Sequence, residues 1–130
     1  MALTAPMSQA SSAQSDGSVF GVLVFSKTAG YRHDSIAAGV AATTALGEQH
    51  RFRVDATESA AAFTDERLDR YRVVIFLNTT GDVLDANQQA AFERFIRRGG
   101  GFVGVHSASD TEYDWPWYGA LVGAYFKSHP

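Results

Sequence analysis

Apolar positions along the 130-residue chain fall into two rhythms. Three runs are nearly continuous: 19–25, 72–77 and 101–105 are dense in β-branched and aromatic residues, the pattern of strands covered on both faces by helices. A fourth, 51–55, alternates polar and apolar residues and predicts a half-exposed edge strand. Between these runs the period becomes helical. Asp34 or Ser35 caps a first helix with Ile36, Val40, Thr43 and Leu46 on one face and Gly47 as its stop. A short helix follows Thr64, with Phe63 and Leu68 at the staple positions on either side of that cap. A third runs from Asp85, with Gln88 three residues on, through Phe92, Phe95 and Ile96 to Arg97, Arg98 and a Gly99–Gly101 stop. The fourth begins around Asp114 to Pro116 and carries Tyr118, Leu121, Val122 and Tyr125 at helical spacing.

Strands alternating with helices predict right-handed βαβ units. The expected fold is α/β: a flavodoxin-like, doubly wound, mostly parallel sheet with helices on both faces and the 51–55 strand outermost. Such sheets hold ligands beyond the C-terminal ends of their strands. The three strands expected at the centre run out there into 26–33, 78–82 and 106–115, where nearly all the unusual polar residues lie.

Composition narrows the reading. The length suits one domain, and 45% hydrophobic residues against 19% charged are enough to bury a core. Eleven Lys and Arg against fourteen Asp and Glu, without a basic stripe, lack the electrostatic footprint of a nucleic-acid or anionic-membrane partner. The absence of cysteine excludes disulfides, Cys-ligated metals and a thiol nucleophile. No apolar run approaches the ~18 residues of a membrane-spanning helix. Residues 1–18 are rich in Ala, Ser and Gln and read as a flexible tail or linker, with residues 19–130 as the folded domain. They show no clear signal peptide, which leaves cytoplasmic and exported or periplasmic locations both open.

The stretches 24–36 (VFSKTAGYRHDSI), 76–84 (FLNTTGDVL), 99–111 (GGGFVGVHSASDT) and 115–118 (WPWY) together resemble the ThuA-like, or trehalose utilisation, family. The resemblance runs from about Val19 to Pro130. It implies the class I glutamine amidotransferase-like fold and a role in the metabolism of trehalose or a related disaccharide or keto-sugar. It also implies that the chain is the N-terminal part of a longer domain, of a kind often joined to further domains in exported bacterial proteins. In that fold a nucleophile elbow follows a central strand. Here Gly104-Val105-His106-Ser107-Ala108 holds the place with His106 where a cysteine would stand, so the chain is not a cysteine-dependent amidotransferase.

Candidate chemistry collects in the three loops. His106, at a strand's C-terminal end, and His33, before the first helix, are of the type that serves as general base or metal ligand. Asp110, with Glu112 and Asp114, joins them in a set suited to acid and base work on a sugar or to a divalent metal such as zinc or manganese, with His33 and His106 as its ligands. Against this stand ordinary capping and solvated carboxylates. Ser107 lacks a Gly-x-Ser-x-Gly elbow and reads as a substrate contact rather than a nucleophile. Tyr31, Tyr113 and Trp115 offer aromatic faces beside Lys27 and Asn78, a surface that packs on sugar C–H groups and reads hydroxyls. Thr79, Thr80 and Gly81 present backbone N–H groups at a strand end. His129 has no assignable partner. The expected partner is a small saccharide; a dimer through an open sheet edge is the further expectation. The rival reading is a non-catalytic carbohydrate-binding or interaction module of a larger exported protein.

Overall fold

A computed structural model describes residues 19–130, so the expected tail at 1–18 lies outside the described residues. Strands β1 (Gly21–Phe25), β2 (Arg53–Thr57), β3 (Val73–Leu77) and β4 (Gly101–Val105) form one parallel sheet in the order β2-β1-β3-β4. Helices α1 (Ile36–His50), α2 (Asp65–Leu68), α3 (Ala86–Arg97) and α4 (Pro116–Val122) alternate with them. The expected α/β fold is present, and β2 is the outer strand that its alternation predicts. It starts at Arg53 rather than Arg51, because Arg51 takes a left-handed conformation (φ 59°) that turns the chain out of α1.

Alternation along the strands splits the core in two. Leu23, Phe25, Val74 and Phe76 point to the face covered by α2, α3 and α4, where Phe63, Leu68, Phe92, Phe95 and Tyr118 complete a buried cluster. Phe76 sits at its centre, 5.3 Å from the rings of both Phe25 and Phe92 and 5.6 Å from Tyr118. Val22, Val24 and Leu77 point to the other face, where Val40 of α1 packs on them. That helix lies close: a Cβ on Gly39 would stand 2.8 Å from a Leu77 methyl, and one on Gly47 would stand 2.6 Å from the Phe52 carbonyl. Gly47 is therefore a packing residue inside α1 and not its stop, which Arg51 supplies. Leu46, expected on the buried face, points outward at 48% exposure.

Two further expectations change. Strand β4 is an edge among the described residues, not a central strand, and Val103 is 44% exposed because no helix covers its face there. Helix α4 stops at Val122, where Gly123 adopts φ 88°, so Tyr125 lies beyond the helix. The α3 entry is as expected: Asp85 and Gln88 form a reciprocal capping box. Thr64 caps α2 through its side chain while Phe63 and Leu68 are buried. Among the described residues no helix is long and apolar enough to cross a membrane.

Candidate functional site

The ladder does not end with the strands. Thr28 pairs with Thr80 and Gly81 with Thr111 as isolated parallel bridges, so the loops after β1, β3 and β4 are sewn together beyond the sheet. The Ala29 N–H donates to Thr80 O at 2.7 Å, the Gly81 N–H to Asp110 O at 2.8 Å and the Glu112 N–H to Gly81 O at 3.1 Å. This is the sheet edge at which α/β folds place their ligands.

His33 and His106, 73 residues apart, meet there. Their Nε2 atoms lie 3.0 Å apart, with the rings edge to face at a centroid distance of 4.5 Å. Ser107 Oγ lies 3.4 Å from the opposite nitrogen of His33, Nδ1, and the Tyr31 ring meets the His33 ring edge-on at 4.9 Å. His106 follows β4 directly, in a turn of 3-10 helix at 106–110, with φ 51°. A non-glycine residue in the left-handed region is strained, and such strain gathers at functional sites. Of the four non-glycine residues with positive φ among the described residues, three (Asn78, His106 and Glu112) stand at this one edge.

The pair borders an open pocket of about 90 Å³ together with Ser107, Ser109 and Asp110; Phe126 and His129 complete its lining. That is room for one edge of a sugar ring rather than a whole disaccharide. Asp110 is half-buried, and its Oδ1 accepts from the Tyr113 hydroxyl at 2.7 Å. Partial desolvation of that phenol, and then its bond to the carboxylate, push Tyr113 up to about 12.

The other sequence candidates hold the edge together without lining the pocket. The Lys27 ammonium donates to Val83 O at 3.1 Å. Asn78 donates to Ser35 Oγ at 2.8 Å, which ties β3 to the start of α1. Thr79 is wholly buried with its hydroxyl on that of Thr111, and the Thr80 hydroxyl donates to Tyr31 O at 2.9 Å. The Gly81 N–H is spent on Asp110 O, so it is not free for an anion. Trp115 stacks on Trp117 at 5.0 Å and on Tyr118 at 6.0 Å, against the core. Tyr31 is 71% exposed, and Asp114 is exposed as well. Among the described residues no group of three or more His, Cys, Asp or Glu side chains is arranged to hold a metal ion.

Glu112, expected among the solvated or metal-binding carboxylates, is instead 2% exposed and structural. Its Oε1 accepts from the N–H groups of Val83 (2.8 Å) and Leu84 (2.7 Å), and its Oε2 from Gln89 Nε2 (2.7 Å). The carboxylate thus locks the His106 loop to the entry of α3. Its sequence neighbours, two aspartates and a tyrosine, carried no sign of this. Phe126 and His129 also escape detection from sequence, because only the path of the chain after Gly123 returns them to the pocket.

Comparison with curated proteins returns no match. Among solved structures, a ThuA-like protein from Bacteroides uniformis ATCC 8492 superposes with a TM-score of 0.65 at 25% sequence identity. The alignment covers 89% of this chain and 49% of that one, so the chain spans about half the length of this neighbour. A family model described as ThuA, trehalose utilisation, matches residues 21–130, which takes in all four strands and all three site loops. With the parallel sheet and its shared loop edge in agreement, the chain belongs to the ThuA, or trehalose utilisation, family.

Proposed function

We propose that this chain supplies the reactive edge of a domain acting on a small saccharide, trehalose or a related disaccharide or keto-sugar, with His33 and His106 as the proton-transferring pair. The observation that carries the reading is the 3.0 Å approach of the two Nε2 atoms at the rim of the pocket. A hydrogen bond of that length between two imidazole nitrogens holds one proton: one ring donates and the other accepts. A ligand atom entering between them meets a base on one side and an acid on the other. Imidazole takes either part near neutral pH.

On a keto-sugar, one Nε2 removes the proton from the carbon beside the carbonyl. The C–H electron pair becomes a C=C bond while the carbonyl π pair moves to the oxygen, where the partner ring's N–H stabilises the enolate. The base exchanges its proton with solvent and returns a deuteron to the carbon to complete the exchange. Asp110 stands beside the pair as a hydroxyl acceptor, and Ser107 fixes the His33 ring through Nδ1.

The test is solvent exchange. A keto-disaccharide made by oxidising one ring hydroxyl of trehalose is incubated with the chain in deuterated water, and loss of the C–H signal beside the carbonyl is followed by proton NMR. Exchange with the wild type and none with His33→Gln or His106→Gln supports the reading. Exchange that survives both substitutions overturns it.

The same distance favours a second reading. Two imidazole nitrogens brought this close could also hold one divalent ion between them, which would polarise a sugar oxygen. His33 and His106 would then be the protein ligands of zinc or manganese. Addition of either ion followed by calorimetry separates the two: binding lost in both histidine variants supports the metal, and no heat removes it.

A further inference from the structure

We infer that the segment 123–129 is a built wall of this pocket and that Phe126 and His129 are its ligand contacts, with Phe126 as the apolar platform for a sugar ring and His129 as a reader of its hydroxyl groups. The inference rests on the saccharide reading above. It assigns to Phe126 the part that the aromatic residues near Trp115 were expected to play.

The segment has no regular secondary structure, yet it is anchored at three successive points. Gly123, at φ 88°, reverses the chain out of α4. The Tyr125 hydroxyl then meets two carbonyl oxygens of the His106 loop, Glu112 O at 2.8 Å and Trp115 O at 3.1 Å, while its ring stacks on Tyr113 at 4.8 Å. Phe126 is held at both ends of its peptide unit. Its N–H donates to Ser109 O at 2.9 Å, and its carbonyl lies 2.7 Å from the Tyr113 hydroxyl, whose single proton it shares with Asp110 Oδ1.

The Tyr125 and Phe126 anchors both land on the loop that carries His106. The same Tyr113 hydroxyl that holds Phe126 contacts Asp110, so wall and carboxylate share one support. The result places the Phe126 ring on the pocket with the His129 ring 4.8 Å from it and tilted by 54°. An aromatic face next to imidazole, carboxylate and serine groups matches a sugar ring, which offers C–H groups on one face and hydroxyls at its rim. Trp115 and Trp117 cannot serve in this way, because they stack on each other and on the core.

Carbethoxylation of histidine by diethyl pyrocarbonate, located by mass spectrometry, reads every imidazole separately in the full chain. The chain has four histidines, and exposed His50 at the end of α1, remote from the pocket lining, is the internal control. Trehalose is the probe. The expected result is joint protection of His33, His106 and His129 with His50 unchanged, and an about five- to tenfold weaker apparent trehalose affinity in Phe126→Ala. Protection of His33 and His106 without His129, or unchanged affinity in Phe126→Ala, overturns the wall. If trehalose protects none of them, trehalose falls as the ligand, and the ligand-free rates judge the wall alone. Loss of the Phe126 ring should then speed modification of His106 and His129 severalfold, and unchanged rates overturn the inference.

Discussion

Replacing Glu112 by alanine tests whether one buried carboxylate joins the site loop to the rest of the fold. The side chain is 2% exposed and accepts three hydrogen bonds, two of them from the backbone N–H groups of Val83 and Leu84 at 2.8 and 2.7 Å. Alanine leaves those two donors and the Gln89 amide without their acceptor. Each buried group that loses its partner costs about 1–3 kcal/mol, so with relaxation at Gln89 the total is about 3–5 kcal/mol. At this chain length each kcal/mol moves the midpoint by about 4 °C, and the variant should melt about 12–20 °C lower. Glu112→Gln is the control. It keeps an oxygen for both backbone donors while Gln89 turns its amide over, and it loses about 1 kcal/mol of charge assistance. Thermal melts by circular dichroism give the totals, and amide hydrogen exchange at Val83 and Leu84 gives the location. An alanine variant within 1 kcal/mol of wild type, with both amides still protected, would refute the reasoning.

His106→Gly should raise stability by about 1 kcal/mol in urea titrations while abolishing keto-sugar exchange, because glycine accepts φ 51° without strain and carries no imidazole. Phe76→Ala, at the centre of the aromatic cluster, should cost about 3–5 kcal/mol on the same assay. Alkali should weaken the fold. Tyr113, held up to about 12 in the folded chain against about 10 when unfolded, contributes stability that is complete below pH 10 and is lost as pH rises toward 12. Tyr113→Phe should flatten that decline in pH-dependent melts, leaving the share of Tyr118, which burial and then the Glu112 charge raise further. Val103→Lys should change stability by less than about 0.5 kcal/mol and lower any concentration-dependent association seen by sedimentation, since its exposed side chain lies on the open β4 edge.

What could be read in the chain beforehand was what is written locally. The Asp85–Gln88 box, the Thr64 cap with its Phe63 and Leu68 staple, and the edge character of β2 depend on neighbours a few residues away. The meeting of His33 with His106 was accessible only through a topological rule: both follow strands whose C-terminal ends must share an edge. Errors arose where one residue type serves two ends. Gly47 suits a helix stop as well as a close helix–sheet contact, and only the Phe52 carbonyl beside it decides. Trp115 suits a ligand wall as well as a core, and it stacks on Trp117 of α4 and meets Phe92 of α3 edge to face, a contact out of reach of spacing arguments. Glu112 shows the limit most plainly. Its partners lie 23 to 29 residues away, and nothing in the order Asp110-Thr111-Glu112-Tyr113-Asp114 separates the buried carboxylate from the others.

The unequal covering of the two sheet faces bears on how the site breathes. His106 is rooted in the half of the molecule built on the phenylalanine cluster, whereas His33 leads into α1, which packs through Val40 and Gly39 on the thinner Val22–Val24–Leu77 cluster. Cooperative opening units follow such divisions, and the unit with fewer buried contacts opens first. Detachment of α1 would therefore carry His33 away while leaving His106 in place, so the imidazole pair exists only while both units are closed. A molecule that bridges the two rings acts as a clasp between them, and its binding should slow amide exchange along α1 more than anywhere else in the chain.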